Sequence, residues 1–101
     1  MTTTSQTANY SLVLADAGTV VEMNSASAVN LTVPPNSSVA FTVGTPITIR
    51  QFGAGQVTLV AGSGVTLRSR GSALKLVGQY SEATITKRGT DDWVASGDLT
   101  A

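Results

Sequence analysis

The chain has 101 residues with no cysteine and no histidine, and six basic side chains balance six acidic ones. That inventory excludes disulfides, thiol nucleophiles, Cys/His zinc sites and histidine general bases, and a neutral chain sets up no field to draw in nucleic acid or an anionic membrane. Charged residues make up only 12 %, about half the usual share, while Ser and Thr number 26, so the solvent-facing side is hydroxyl-rich and repels other copies weakly.

Residues 1–9 are Thr/Ser-rich and lack hydrophobic periodicity, which predicts a flexible or partner-docked N-terminal arm ahead of a single β domain over 10–101. The start MTTTSQTANY has neither a cationic n-region nor an apolar run, and no stretch approaches the length of a membrane span. The chain reads as made in the cytoplasm of its host without a secretion signal of its own.

From Tyr10 onward, short β-branched runs recur between clusters of Gly, Pro, Asn and Ser, and no segment carries a capped helical period. Val29, Leu31 and Val33 alternate with Asn30 and Thr32, as the two faces of a strand require. Pro34 and Pro35 end that ladder, having no N–H to donate. Val39, Phe41 and Val43 repeat the inward set, then Ile47 and Ile49 against Thr48 and Arg50. Phe52 shares the parity of Arg50, so its burial would need a bulge or a strand end near Gln51.

Val57, Leu59 and Ala61, the connection Gly62-Ser63-Gly64, then Val65 and Leu67 have the form of a hairpin. Further strands run through Leu74 and Leu76, through Ala83 and Ile85, and through Trp93, with Lys87 to Asp92 as a polar turn. The fold class is therefore all-β: a small antiparallel β-sandwich or barrel-like module of about nine short strands.

No catalytic or cofactor-binding constellation stands out. Asp91-Asp92 is an adjacent carboxylate pair, but Arg88-Gly89-Thr90-Asp91-Asp92 has turn chemistry, and the spaced acidic ligands of a calcium loop are missing. Gly53-Ala54-Gly55 and Gly62-Ser63-Gly64 lack a phosphate-loop frame and lead into no helix, so they read as hairpin turns. Ser72 and Lys75 match an SxxK spacing that a Ser-rich chain produces by chance. The chain is expected not to be an enzyme, with no metal and no cofactor.

Interface candidates are Tyr10, Arg50, Arg68, Arg70 and Tyr80. The arginines, with Lys75, fall on or beside polar-parity positions, which fits either one shared rim or a solvated sheet face. Core packing is the default for Tyr10, Tyr80 and Trp93, and an interface anchor is the sharper reading for Tyr80, which sits beside a turn. Residues 1–49 carry only Asp16 and Glu22, whereas 50–101 hold six basic and four acidic groups. Opposed halves suit packing against a neighbour.

Segments 9–18 (NYSLVLADAG), 22–28 (EMNSASA), 31–38 (LTVPPNSS), 53–58 (GAGQVT), 61–67 (AGSGVTL) and 87–93 (KRGTDDW) resemble a β-rich module of tailed-bacteriophage virion proteins. The shared pieces are mostly turns and together span nearly everything after the arm. The resemblance implies a capsid decoration (cement) protein of the virion surface, clamped on the major capsid protein as a homo-oligomer, in that family commonly a trimer. Its alternative is the tip of a tail or head fibre that binds a host receptor or glycan. Neither reading involves nucleic acid or membrane.

A small core and a weakly charged surface predict self-association. Size-exclusion chromatography with light scattering is expected to give a multiple of the 10.3 kDa chain mass; a monodisperse monomer would remove the oligomer.

Overall fold

The structure, a computed structural model, describes residues 3–101. The strands are β1 (Thr3–Gln6), β2 (Tyr10–Ser11), β3 (Val20–Met23), β4 (Val29–Val33), β5 (Pro46–Gln51), β6 (Val57–Ala61), β7 (Thr66–Ser69), β8 (Lys75–Leu76), β9 (Glu82–Gly89), β10 (Asp92–Gly97) and β11 (Leu99–Thr100). Single 3-10 turns occur at Leu14–Asp16 and Arg70–Ser72. One sheet has the order β1-β3-β5-β9-β10-β7 and the other β11-β8-β6-β4-β2. The all-β class is as expected.

Alternation decides what lies between the sheets. Val21 and Met23 of β3, Ile47 and Ile49 of β5, Ala83 and Ile85 of β9, and Trp93 and Ala95 of β10 are buried from one side. Leu12, Val29, Leu31 and Val33, Val57 and Leu59, and Leu76 are buried from the other, in the same cluster. Trp93 is 1 % exposed and meets Phe41 edge-on at 5.5 Å. Burying side chains of this size stabilises by about 1.5–3 kcal/mol each relative to leaving them exposed.

Strand pairing departs from the antiparallel expectation. Up to β8, successive strands alternate between the sheets, so β3 pairs parallel with both β1 and β5, and β4 pairs parallel with both β2 and β6. Residues 3–61 thus wind as three turns of a flattened coil. Between the second and third turns the register is constant: Val20 faces Thr48, Val29 faces Val57 and Val33 faces Ala61, each partner 28 residues further along. The β9–β10 pair is a true antiparallel hairpin, turned at Asp91 with φ 56°.

The Gly-rich connections are therefore arches between sheets. Gly62-Ser63-Gly64 carries the chain from β6 in one sheet to β7 in the other, where β7 pairs parallel with β10. The local signal for a tight reversal is the same in either case; the direction of the reversal depends on which distant strand completes each ladder. Val39, Phe41 and Val43 form no strand. The Ser38 and Val39 amides both bond the Pro35 carbonyl, Phe41 anchors the loop in the core, and Val43 is exposed.

Two polar side chains lie where the sequence suggested otherwise. Gln51 ends β5 buried, its Oε1 accepting from the Val57 amide at 3.2 Å, while Phe52 turns outward. Lys87, expected in a polar turn, occupies an inward position of β9 and is 3 % exposed. Its ammonium donates to Asn36 Oδ1 at 2.5 Å and to the Phe41 carbonyl at 2.7 Å, tying the 34–45 loop to the sheet. Of the expected arm, residues 1–2 lie outside the described residues, and Thr3–Gln6 is edge strand β1 of this chain's own sheet.

Stacking of the third turn on the second leaves no room for side chains at the arches. A Cβ on Gly53 would meet the Ser25 carbonyl oxygen at 2.3 Å, and one on Gly55 would meet the Ser27 carbonyl oxygen at 1.9 Å. Gly55→Ala is expected to destabilise by at least about 1–3 kcal/mol, the range for forced overpacking. Gly64→Ala, where φ is +79° but nothing lies within 4 Å, is expected to cost less, about 1 kcal/mol. Urea midpoints of the two variants check the order.

Candidate functional site

The carboxylates are engaged within the molecule. Asp16 is buried under the Leu14–Asp16 turn and accepts from the Tyr10 hydroxyl at 2.7 Å and the Val13 amide at 2.9 Å. Asp91 accepts from the Asn36 amide at 2.6 Å. Asp92 lies between Arg68 at 3.0 Å and Arg88 at 2.6 Å. Partial burial works against ionisation there, but the hydrogen bonds from Arg68 and then Arg88 prevail and hold the carboxyl below its usual range. Asp91 thus sits in the turn and Asp92 begins β10, each carboxylate committed to neighbours. Among the described residues no three His, Cys, Asp or Glu side chains gather as metal ligands would.

The outer face of the β1-to-β7 sheet is a hydroxyl surface with two charged corners. Thr48 of β5 and Thr84 of β9 touch through their hydroxyls at 3.2 Å, and Ser96 follows across β10 opposite Thr84. At one corner Arg50 bridges Glu22 at 2.6 Å and Glu82 at 2.7 Å, across three neighbouring strands. Arg68, on edge strand β7, closes the other corner on Asp92. Exposed pairs of this kind contribute about 0–1 kcal/mol each, so they set register and neutrality more than stability.

The single arginine rim does not form. Arg50 and Arg68 share a face, but β9 and β10 stand between their strands, a separation of about 14 Å at normal strand spacing. Arg70 lies beyond the end of β7 in its 3-10 turn. Lys75 belongs to β8 of the other sheet. Parity alone identifies a face, not the order of strands across it.

Tyr10 and Tyr80 have opposite fates. Tyr10 packs half-buried on the core with its hydroxyl on Asp16. Tyr80 is 64 % exposed with φ +70°, a conformation uncommon for a bulky residue. Its amide is held by the Gln51 carbonyl, and its ring meets Phe52 edge-on at 5.6 Å. Gln79 Nε2 donates to the Phe52 carbonyl at 3.2 Å, and exposed Val77 stands in the same turn. Phe52 and Val77 were not foreseen as surface residues; the parity of Phe52 with Arg50 was the available signal.

This aromatic cluster follows the C-terminal end of β5 and precedes β9. At the N-terminal ends of β3 and β5 lie a second set of exposed apolar side chains, Val13 and Leu14 at the start of the first 3-10 turn and Val43 in the loop before β5. Backbone bonds from the Gly18 amide to the Pro46 carbonyl and from the Gly44 amide to the Lys87 carbonyl hold these segments against the sheet. The molecule therefore presents apolar contacts at both ends of its strands, separated by a body of about 32 × 29 × 23 Å.

No family model, characterised protein or solved structure matches the chain.

Burial, the hydrogen bond to Asp16 and that carboxylate's charge push the Tyr10 phenol up to about 12. The raised value means that the neutral phenol stabilises the fold fully below the ordinary tyrosine value of about 10, and that this contribution is lost as the pH rises through 12. Ultraviolet phenolate titration is expected to show a late component near pH 12 that Tyr10→Phe removes; its persistence in that variant would assign it elsewhere.

Proposed function

We propose that this chain is a structural protein of a tailed-bacteriophage virion, a capsid decoration protein that docks on the major capsid protein as a homo-oligomer, a trimer by analogy with the module it resembles. The observation that carries the reading is the pair of exposed apolar clusters at opposite ends of a rigid, neutral body: Phe52, Val77 and Tyr80 at one end, Val13, Leu14 and Val43 at the other. A clamp needs two separate points of contact, and each copy offers them. Attachment through several copies at once then makes loss from a shell slow without any single strong contact. The resemblance of its turns to that phage module supports the same reading.

Phe52 and Tyr80 also favour a second reading, the tip of a fibre that binds a host glycan. Two exposed rings on a braced turn, with the amide of Gln79 beside them, are suited to stacking on a sugar ring while a polar group sets its orientation.

The test is occupancy on shells. Purified protein is added to capsids lacking it and located by cryo-electron microscopy. Phe52→Ala and Tyr80→Ala, which remove exposed rings, are expected to leave the melting temperature nearly unchanged and to weaken occupancy about thirty-fold or more, as loss of an interface anchor does. Full occupancy by both variants would overturn the role of this end. Absence from the shell together with retention on a glycan array would transfer the protein to the fibre reading.

A further inference from the structure

Beside the end of β10 lies a cavity of about 390 Å³ lined by Arg70, Ala73, Ala95, Ser96, Gly97 and Leu99. It exists because β7 stops early. Ser69 pairs with Ala95, and the chain then leaves the sheet through Arg70–Ser72, where Gly71 has φ 65° and Ser72 φ 57°. Ser96 and Gly97 continue β10 with no strand beyond them on that side among the described residues.

The backbone of Gly97 is directed into this gap. The Asp98 amide donates to the Glu82 carbonyl at 2.9 Å, and Ser96 stands opposite Thr84. In an antiparallel ladder, residues that bond the same partner strand alternate with residues that face the other way. Gly97, between Ser96 and Asp98, accordingly turns its N–H and C=O away from β9. Among the described residues no backbone bond from outside the strand ladders reaches them.

Charge points to the same place. Arg50, Arg68 and Arg88 each have a carboxylate partner, whereas Arg70 has none among the described residues. The carboxylate next along the chain, Asp98, is turned to the Ser81 hydroxyl at 2.8 Å. Ser69, adjoining Arg70 and opposite Ala95, keeps its Oγ buried without a hydrogen-bond partner, which is unusual for a buried hydroxyl. Ala73, Ala95 and Leu99 supply an apolar wall.

We propose that this cavity binds a carboxylate carried by an extended polypeptide segment of a partner. The segment adds to the open end of β10 through the Gly97 N–H and C=O, its carboxylate meets the Arg70 guanidinium, and a small aliphatic side chain lies against Ala73, Ala95 and Leu99. A free backbone edge supplies main-chain hydrogen bonds and a planar guanidinium reads a carboxylate in two-pronged fashion. The shared chemistry is the carboxylate, whether it comes from a chain terminus or from an Asp or Glu side chain.

The test is an amide NMR titration of the full chain with three short acetylated peptides of Thr, Val and Ala: one ending in a free carboxylate, one amidated, and one amidated with an internal Asp. The free acid is expected to move the Gly97 amide and the Arg70 Nε–H, and the amidated peptide to bind about ten-fold or more weakly, as loss of a charge-assisted hydrogen bond implies. Recovery of binding by the Asp peptide would assign the carboxylate to a side chain and keep the site. Arg70→Gln, a change at an exposed residue, is expected to erase the difference between the acid and amide peptides without altering the melting temperature. Equal binding of the free acid and amidated peptides by the unsubstituted protein, shifts confined to other surfaces, or undiminished acid binding in Arg70→Gln would overturn the proposal. Because the probe is a peptide in solution, the result is independent of whether the protein decorates a capsid.

Discussion

The molecule depends on one constraint, the direct stacking of its third coil turn on its second at a constant offset of 28 residues. The Gly55 amide bonds the Ser25 carbonyl at 2.8 Å and the Gly62 amide bonds the Val33 carbonyl at 2.8 Å, so the arches are in backbone contact as well as the strands. Glycine at 53, 55 and 62 is what permits that approach, because a Cβ at any of the three would fall within 3 Å of a carbonyl oxygen. Once the arches stack, β3 with β5 and β4 with β6 have no freedom of register. Their alternating apolar side chains then converge from two sides on a single core.

The later strands use that core as a template. The β9–β10 hairpin joins the free side of β5, with Ile85 opposite Ile47 and Ala83 opposite Ile49, and delivers Trp93 to the centre. Lys87 reaches in from the same hairpin and binds the loop that carries Phe41. A buried ammonium bonded to two neutral oxygens is costly unless both bonds are kept, so it favours one conformation of the 34–45 loop over others that would also bury Phe41. Local order at the hairpin end is thus coupled to the position of an irregular loop remote in sequence.

Charge is largely consumed within the molecule, and this shapes what the surface offers to others. The Glu22–Arg50–Glu82 and Arg68–Asp92–Arg88 groups satisfy themselves across strands, leaving a broad face of Thr and Ser hydroxyls. Against this quiet background the unspent features include the rings of Phe52 and Tyr80, the aliphatic group around Leu14, and Arg70, which has no carboxylate partner among the described residues. Each lies where a strand has ended and the chain is changing sheets. Contact sites concentrate there because the interior strands have their backbone committed to ladders and one face of each side-chain row committed to the core.

The alternation of apolar and hydroxyl residues determined by itself that the chain is all-β and which face of most strands is buried, and the local turn chemistry determined that the chain reverses at Asp91, because side-chain parity and turn chemistry are local properties. The turn beside Tyr80 offered its surface position as an option against the default of core packing, and the structure takes the option. Lys87 shares the inward parity of Ala83 and Ile85, a signal its charge overrode, whereas parity could not reveal whether Gly62-Ser63-Gly64 makes a hairpin or an arch, or that Arg50, Arg68, Arg70 and Lys75 are dispersed over two sheets and a turn. Those outcomes rest on which strands pair, and pairing between residues 28 apart is a matter of long-range backbone hydrogen bonding and close packing that no short window of residues contains. The Arg70 cavity is the extreme case, because it is made by the early end of β7 against a strand 26 residues further along, and only the assembled sheet brings the two together.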